Sequence, residues 1–215
     1  MQRATGLYNR SPLTTWHATR SRRQLWHNAG FPHQRIHTVP DTQRGWLSRP
    51  PALPRSLRRW LCDRGSLTRR LKARCTRFSV TPLTTGLARA NFDEMVLLGL
   101  SGRQLAYVRD VTLRCDDQVV VFAHSVLTRK SLRGAWNGIT RLGSRPLGEA
   151  LFNNPRIRRQ ALAYRKLRPH HPLFRRINLH LPQTERCLWA RRSVFCLAGH
   201  PLLVTEVFLP SITPL

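Results

Sequence analysis

The sequence LAGHPLLVTEVFLP at residues 197–210 predicts the strand around which the rest of the chain is organised. Between residues 202 and 209 the only polar side chains are those of Thr205 and Glu206. Side chains alternate between the two faces of a strand, and here both faces are apolar, so the pattern predicts a strand that is covered on both sides. Glu206 shares its predicted face with three apolar side chains, those of Leu202, Val204 and Phe208.

A carboxylate in such a strand loses its hydration, so Glu206 must find either a cationic partner or a proton. One interpretation is a structural ion pair with one of the 34 arginines of the chain. The other is a ligand-binding or catalytic site, because ionisable groups in unusual environments are enriched at such sites. The pattern of residues by itself leaves both interpretations open.

The composition predicts one domain with an appendage. The chain has 215 residues, 41% of them hydrophobic, which is enough to form one buried core. Its formal net charge is +27, with 34 Arg against 3 Lys, and a basic chain attracts anions in general. The sequence contains no helix-turn-helix signal, zinc-ligand spacing or aromatic RNA-binding motif, so we expect no specific nucleic-acid partner. No apolar run reaches the ~18 residues of a membrane span.

The five cysteines are scattered along the chain, and no two of them form a Cys-x-x-Cys pair. An odd number of dispersed cysteines is typical of a cytosolic protein with reduced thiols. We therefore expect free thiols at all five positions, namely Cys62, Cys75, Cys115, Cys187 and Cys196.

Residues 1–53 differ in composition from the rest of the chain. They contain eight Arg, no Lys and a single acidic residue, Asp41, with no helical or strand periodicity. An Arg-rich, Ser-rich and acid-poor segment resembles an organelle transit peptide, and a start assigned too early would give a similar segment. Our preferred expectation is a basic disordered extension or a wrongly assigned start at 1–53, dispensable for folding, and a folded domain at 54–215.

The order of the predicted elements indicates an antiparallel α+β domain. Two hairpins are predicted, at residues 105–127 with a turn at 115–118 and at residues 191–209 with a turn at 198–200. Strands paired by hairpins, with helices between them, form antiparallel sheets. The other predicted elements are a strand at 78–83, helices at 56–62, 66–74, 132–142 and 146–152, and connections at 91–102 and 153–188.

Arg109 lies in the middle of the predicted core face of the first hairpin, between Tyr107 and Val111. A guanidinium cannot give up its charge, so it must meet a carboxylate of the protein or of a ligand. Glu206 is the simplest protein partner. If Arg109 and Glu206 instead stand at different ends of one pocket, that pocket suits an aromatic acid bearing a hydroxyl group, because Arg grips a carboxylate with two parallel N–H groups.

Four motifs resemble those of the chorismate pyruvate-lyase family in order and spacing, over about residues 54–212. They are YVRDV at 107–111, RPLG at 145–148 with LF at 151–152, LWARRS at 188–193 and GHPLLVTEVFLP at 199–210. The resemblance implies a monomer with a single six-stranded antiparallel sheet and a buried ligand pocket under helical flaps. It also implies that chorismate is converted to 4-hydroxybenzoate and pyruvate, without metal or cofactor, for ubiquinone biosynthesis in the bacterial cytoplasm.

The resemblance assigns roles to four residues. Arg109 would bind the ring carboxylate of the substrate, and Glu206 would act on the ring hydroxyl, so these two are the expected catalytic residues. Leu147 would add its backbone N–H to the carboxylate site, and Leu67, where the family commonly has Met, would contribute its N–H and cover the pocket. One departure is His124, which stands where the family pattern has Arg.

Two other classes of function are compatible with parts of the sequence. The first is a non-catalytic domain that senses an aromatic acid, because the same sheet occurs in bacterial transcription regulators and a fold alone does not define function. No winged-helix pattern precedes the domain here. The second is a nucleic-acid binder, which only the net charge supports.

Overall fold

The computed structural model describes residues 45–182 and 184–215, and these form an antiparallel sheet covered by helices on both faces. The strand order is β1-β2-β3-β7-β6-β4, with β5 pairing to β6, and every pair is antiparallel. The strands are β1 (Phe78–Ala88), β2 (Ala106–Cys115), β3 (Gln118–Thr128), β4 (Arg158–Arg159), β5 (Ala163–Leu167), β6 (Leu188–Leu197) and β7 (His200–Phe208).

Six α-helices connect and cover the strands. They are α1 (Arg55–Leu61), α2 (Leu67–Lys72), α3 (Phe92–Leu98), α4 (Arg129–Arg133), α5 (Leu147–Asn153) and α6 (Pro172–His180). Two short 3₁₀ segments, Asn137–Arg141 and Pro210–Ile212, complete the described part. None of the helices in that part is long and apolar enough to cross a membrane.

The two predicted hairpins are confirmed. β2 and β3 turn at Asp116, whose φ is 53°, and β6 and β7 turn at Ala198 and Gly199, whose φ values are 48° and 78°. Positive φ at these positions gives the tight reversal that a hairpin loop needs. The expected α+β antiparallel class is therefore correct, with seven strands in place of the expected six.

The two segments expected to be connections contain regular structure. Within 91–102 the chain forms α3, which begins with a capping box between Asn91 and Glu94 and ends at Gly99 in the left-handed conformation. Within 153–188 it forms β4, β5 and α6. Because β4 and β5 are short and both pair with the distant strand β6, their stability comes from a long-range partner that local sequence patterns do not reveal.

The predicted helix at 132–142 is broken into α4 and a 3₁₀ segment. The interruption is at Gly134, where an added Cβ would lie 3.1 Å from the His200 ring. The Trp136 indole then donates to the His200 carbonyl oxygen at 2.9 Å. This hydrogen bond holds the chain against the β6–β7 turn, so the predicted helix is not continuous.

The expectation of five free thiols is wrong for two of the cysteines. Cys75 and Cys115 form a disulfide with a Cα–Cα distance of 5.2 Å, whereas Cys62, Cys187 and Cys196 are free. The two partners are separated by 40 residues in sequence, so their proximity depends on the pairing of β1 with β2. Spacing along the chain cannot show such a contact.

Packing begins before residue 54. Trp46 is 2% exposed, and its indole N–H donates to the Asp93 carboxylate at 2.7 Å while the Arg192 guanidinium stacks 4.1 Å from its ring centre. Leu47 forms an isolated bridge with Tyr164. Residues 1–44 lie outside the described residues, so the expectation of a disordered extension stays a prediction for them.

The sheet face that carries Asp110 contains a buried network of charges. The His124 ring lies between two carboxylates, with Nδ1 2.5 Å from Asp110 and Nε2 3.1 Å from Glu94. Asp110 also accepts from Arg176 at 2.9 Å, and Glu94 binds Asn91. The face of the first hairpin opposite to Arg109 is therefore buried as well, and His124 lies at the centre of the network on that face.

The network shifts the ionisation of its members in opposite directions. Burial opposes the charged form of His124, but Glu94 and Asp110 outweigh burial and raise its pKa from 6.5 to about 9. Burial likewise opposes ionisation of Glu94, yet His124 and Asn91 lower its pKa from 4.5 to about 2. At neutral pH the histidine is therefore a cation between two carboxylates.

We predict that this network makes stability depend on pH. The stabilising contribution of His124 is complete below its ordinary pKa of 6.5 and is lost as the pH rises through about 9, because its pKa is raised in the folded state. The contribution of Glu94 is complete above 4.5 and is lost as the pH falls through about 2. His124→Gln should cost about 3–5 kcal/mol at pH 6, because it leaves carboxylates buried without their cation.

Melting temperatures measured from pH 5 to pH 9 test this prediction. The wild type should lose stability towards pH 9, while His124→Gln should show a flatter alkaline limb. His124→Arg is the matched variant, since it restores a cation that does not titrate in this range. Parallel alkaline limbs for all three proteins would contradict the prediction.

We predict that truncations on either side of Trp46 behave differently. Deletion of residues 2–44 should leave the domain folded, whereas deletion of residues 2–50 should lower stability, because removing a buried Trp costs about 3–5 kcal/mol. Urea denaturation of the two truncated proteins measures the difference. Equal midpoints would show that the contacts of Trp46 contribute nothing to stability.

Candidate active site

A cavity lies between one face of the sheet and the helices α2 and α5. Strands β1, β2, β3, β6 and β7 supply its floor, and most of the lining is apolar. Its polar side chains are few, which is typical of a site that binds a small molecule with a fixed orientation. The lining residues central to its chemistry are Leu67, Arg109, Leu147, Arg159 and Glu206.

Arg109 enters the cavity from β2 and is 3% exposed. Its Nη2 donates to the carbonyl oxygens of Gly143 at 2.9 Å and Arg145 at 3.2 Å, in the loop that leads into α5. Burial lowers its pKa from the ordinary value, with Tyr107 acting in the opposite direction. No described residue forms an ion pair with Arg109, so this buried cation is left with the capacity to bind an anion.

Glu206 pairs with Arg191 and not with Arg109. The two residues are direct cross-strand neighbours on β7 and β6, and Arg191 Nε lies 2.5 Å from Glu206 Oε2. Arg191 is 1% exposed, and its Nη1 donates to the carbonyl oxygens of Trp60 and Asp63 at the end of α1. The ion pair between Arg109 and Glu206, considered from the sequence as the simplest pairing, is therefore not formed.

The ion pair leaves part of Glu206 available to the cavity. Oε2 is held by Arg191, and none of the hydrogen bonds within the described residues uses Oε1. The side chain is 17% exposed and lines the cavity together with Val204, two residues earlier on the same face. Glu206 is thus both a member of a structural ion pair and a polar group of the cavity wall.

The strand register sets the separation of Arg109 and Glu206. Arg109 pairs with Ser125, and Ser125 pairs with Val204, so Glu206 is two strands away and two residues further along. With ~4.8 Å between strands and ~3.4 Å per residue, the two Cα atoms are roughly 12 Å apart. The side chains share one face, so they can hold opposite ends of a ligand the size of one substituted ring.

Two short helices cover the cavity. Leu67 is the first residue of α2 and Leu147 the first of α5, and both are buried and line the cavity. Backbone N–H groups in the first turn of a helix have no acceptor within the helix, so they can donate to a ligand. The helices touch closely, because a Cβ added at Gly148 would lie 2.7 Å from Thr68 Oγ1.

Sequence reasoning missed Arg159 as a residue of this cavity. It belongs to β4, the two-residue strand in the segment expected to be a connection, and it pairs with Phe195 of β6. Its guanidinium lies 5.2 Å from the ring centre of Phe195 and 5.6 Å from that of Phe152. The only available signal was one arginine among many in a basic stretch.

The family model and the relatives with similar sequences agree on one family. A family model described as "Chorismate lyase" matches residues 47–214. A protein of Thiobacillus denitrificans called "Probable chorismate pyruvate-lyase" is 56% identical over 170 residues, which cover 79% of this chain and 91% of that protein. A protein of the same name from Nitrosomonas europaea is 50% identical over 167 residues, covering 78% and 94%.

Solved structures add a distant similarity. The C-terminal domain of the histidine utilization repressor from Pseudomonas syringae covers 63% of this chain and 93% of its own, at a TM-score of 0.48 and 9% identity. A similarity of this size carries no argument about function. The family model and the relatives that are half identical are decisive, and the chain belongs to the chorismate lyase family.

Proposed function

We propose that this chain is a chorismate pyruvate-lyase, which eliminates pyruvate from chorismate and leaves 4-hydroxybenzoate. The observation that carries the proposal is the cavity of a chorismate lyase family member, lined on one sheet face by an arginine and a glutamate whose Cα atoms are roughly 12 Å apart. Arg109 has no carboxylate partner among the described residues, so its partner is the substrate.

The reaction balances without any other reactant. The bond between the ether oxygen and the ring carbon breaks, and its electron pair leaves with the enolpyruvyl group. The neighbouring ring carbon, which bears the hydroxyl, loses its proton, and the ring becomes aromatic. The leaving enolate gains a proton and becomes pyruvate. Since aromatisation drives the reaction, the protein has to hold the substrate in the elimination geometry and exclude water.

The ring carboxylate binds at Arg109 in this proposal. The N–H groups of Leu67 and Leu147, at the starts of α2 and α5, add donors to the same carboxylate. Arg109 also holds the loop before α5 through two carbonyl oxygens. One side chain therefore binds the substrate and positions the helix that covers it.

The ring hydroxyl binds at Glu206. Arg191 fixes the orientation of the carboxylate through Oε2, so Oε1 is the atom that accepts from the hydroxyl group. The proton lost in the elimination is on the ring carbon that bears this hydroxyl, so the same oxygen is placed to accept it. Glu206 is accordingly the residue of this cavity that can serve as a general base.

The remaining parts of the proposal rest on the family resemblance. We propose a cofactor-independent monomer, acting in the bacterial cytoplasm at the first committed step towards ubiquinone. Purified protein incubated with chorismate in the presence of a strong chelator should release equal amounts of 4-hydroxybenzoate and pyruvate. If folded protein forms neither product, the proposal is wrong. If the chelator abolishes activity and a divalent ion restores it, the cofactor-independent part is wrong.

We predict that variants of the two polar residues separate binding from chemistry. Arg109→Met should lower the affinity for 4-hydroxybenzoate together with kcat/KM, each by about 1.5–3 kcal/mol or more, because substrate and product share the ring carboxylate. Glu206→Gln should keep most of the product affinity but lower turnover by about 10²–10⁴-fold if Glu206 accepts the proton. Arg141→Met, an exposed arginine outside the cavity, is the control.

Melting temperatures of the same proteins test whether the loss of activity comes only from a loss of stability. Glu206→Gln weakens the pair with Arg191, so part of its effect must appear as lost stability. A smaller loss of turnover in folded Glu206→Gln would limit Glu206 to holding the hydroxyl. Variants that unfold early, with unchanged product affinity per folded molecule, would show that both residues serve only the fold.

We predict that the contact between α2 and α5 controls product release. Gly148→Ala places a methyl group against Thr68, and relief of that overlap should destabilise the closed helices by about 1–3 kcal/mol. The dissociation rate of 4-hydroxybenzoate, measured by stopped-flow fluorescence, should therefore rise. Gly138→Ala is the control, because a Cβ there would meet nothing within 4 Å. An unchanged dissociation rate in folded Gly148→Ala would show that the two helices do not need to part.

A further inference from the structure

We propose that Arg159 binds the carboxylate of the enolpyruvyl group, the part of the substrate that leaves as pyruvate. This inference rests on the proposed function, because it concerns the second carboxylate of chorismate. Arg159 lines the cavity from β4, the strand at one end of the sheet order, whereas Arg109 lines it from β2, near the other end.

The first support is the number of charges that the cavity must accommodate. Chorismate carries two carboxylates, whereas 4-hydroxybenzoate keeps only the one on the ring. Among the described residues that line the cavity, the cations are Arg109 and Arg159. If Arg109 takes the ring carboxylate, Arg159 is the group of the lining with the charge to take the other one.

The second support is that Arg159 is a cation with unused binding capacity. Its Nη1 donates to the Arg64 carbonyl oxygen at 2.8 Å, and no described residue forms an ion pair with it. Its Nε is buried and has no hydrogen-bond partner within the described part of the chain. A buried donor without a partner is costly, so a ligand oxygen at this position would stabilise the complex.

The third support is the position of Arg159 relative to Glu206. Arg159 donates to the Arg64 carbonyl oxygen, and Arg191 donates to the carbonyl oxygen of the adjacent residue, Asp63. Because Arg191 also holds Glu206, the Arg159 guanidinium lies on the Glu206 side of the cavity. In chorismate the hydroxyl and the enolpyruvyl ether are on neighbouring ring carbons. A ring with its hydroxyl at Glu206 therefore carries its enolpyruvyl group on that same side.

The aromatic neighbours of Arg159 hold its guanidinium in place. The Phe152 and Phe195 rings meet edge to face at 6.0 Å, and Arg159 stacks on both. Phe152 belongs to α5, so the covering helix and the arginine support each other. A fixed guanidinium can grip a carboxylate with two N–H groups, and its charge favours the negative charge that builds up on the leaving enolate.

Arg159→Met tests the inference by separating substrate from product. We expect kcat/KM for chorismate to fall roughly ten- to hundredfold, the usual effect of losing one charge-assisted contact. Affinity for 4-hydroxybenzoate should stay within about twofold of wild type, because this product lacks the second carboxylate. The kcat/KM of Arg159→Lys should lie between those of the wild type and Arg159→Met, since Lys keeps the charge but lacks the two parallel N–H donors of Arg.

Arg158→Met is the matched control, because Arg158 is the exposed neighbour on the same strand. Its kcat/KM and product affinity should equal those of the wild type. Arg109→Met provides the contrasting pattern, in which both quantities fall. If Arg159→Met does not fold, Arg159→Lys serves as the test, and a lower kcat/KM with unchanged product affinity still supports the inference.

Two results would overturn the inference while leaving the proposed function intact. The first is an active wild type with unchanged kcat/KM in folded Arg159→Met. The second is a loss of 4-hydroxybenzoate affinity that equals the loss of kcat/KM, which would mean that Arg159 supports only the cavity wall. An inactive wild type, in contrast, would remove the proposed function itself.

Discussion

The ion pair between Arg191 and Glu206 is the interaction on which the site and the sheet both depend. Arg191 is a buried cation that cannot lose its charge, so it requires acceptors on several sides. It finds them in Glu206 across the β6–β7 ladder and in the carbonyl oxygens at the end of α1. One guanidinium thus satisfies the end of a helix, joins it to two central strands and orients the carboxylate of the cavity.

The buried charges on the two faces of the sheet differ in whether they have partners of opposite charge. This difference separates a network that stabilises the fold from a cavity that can bind an anion. In the network around His124, each charge meets an opposite charge. On the cavity face, Arg109 and Arg159 have carbonyl partners but no carboxylate among the described residues. Arg109 is buried, as is the Nε atom of Arg159, and buried cationic groups without an anionic partner are costly for a fold. In the proposed function, the substrate supplies the missing carboxylates.

Local patterns predict the two central hairpins, the strand positions of Arg109 and Glu206, and the start of α2. They do not predict the long-range contacts that hold these residues in place. Alternation along β2 and β7 places Arg109 and Glu206 on one face, and the Ser66 cap marks the start of α2. The pairing of Glu206 with Arg191, the burial of Trp46 and the entry of Arg159 depend on which distant strands meet. In a chain with 34 arginines, no sequence rule selects the partner of a given carboxylate.

The hairpin turns determine whether a site exists at all. Side chains alternate faces along a strand, so a slip of one residue in the β6–β7 register would move Glu206 to the opposite face and separate it from both Arg191 and the cavity. Positive φ at Ala198 and Gly199 closes this hairpin at one length, and Asp116 does the same for the hairpin that carries Arg109. The distance between the two ends of the cavity is therefore set by backbone hydrogen bonds, which cannot stretch to suit a longer ligand. In the proposed function, selectivity for the length of one substituted ring is therefore a property of the turns.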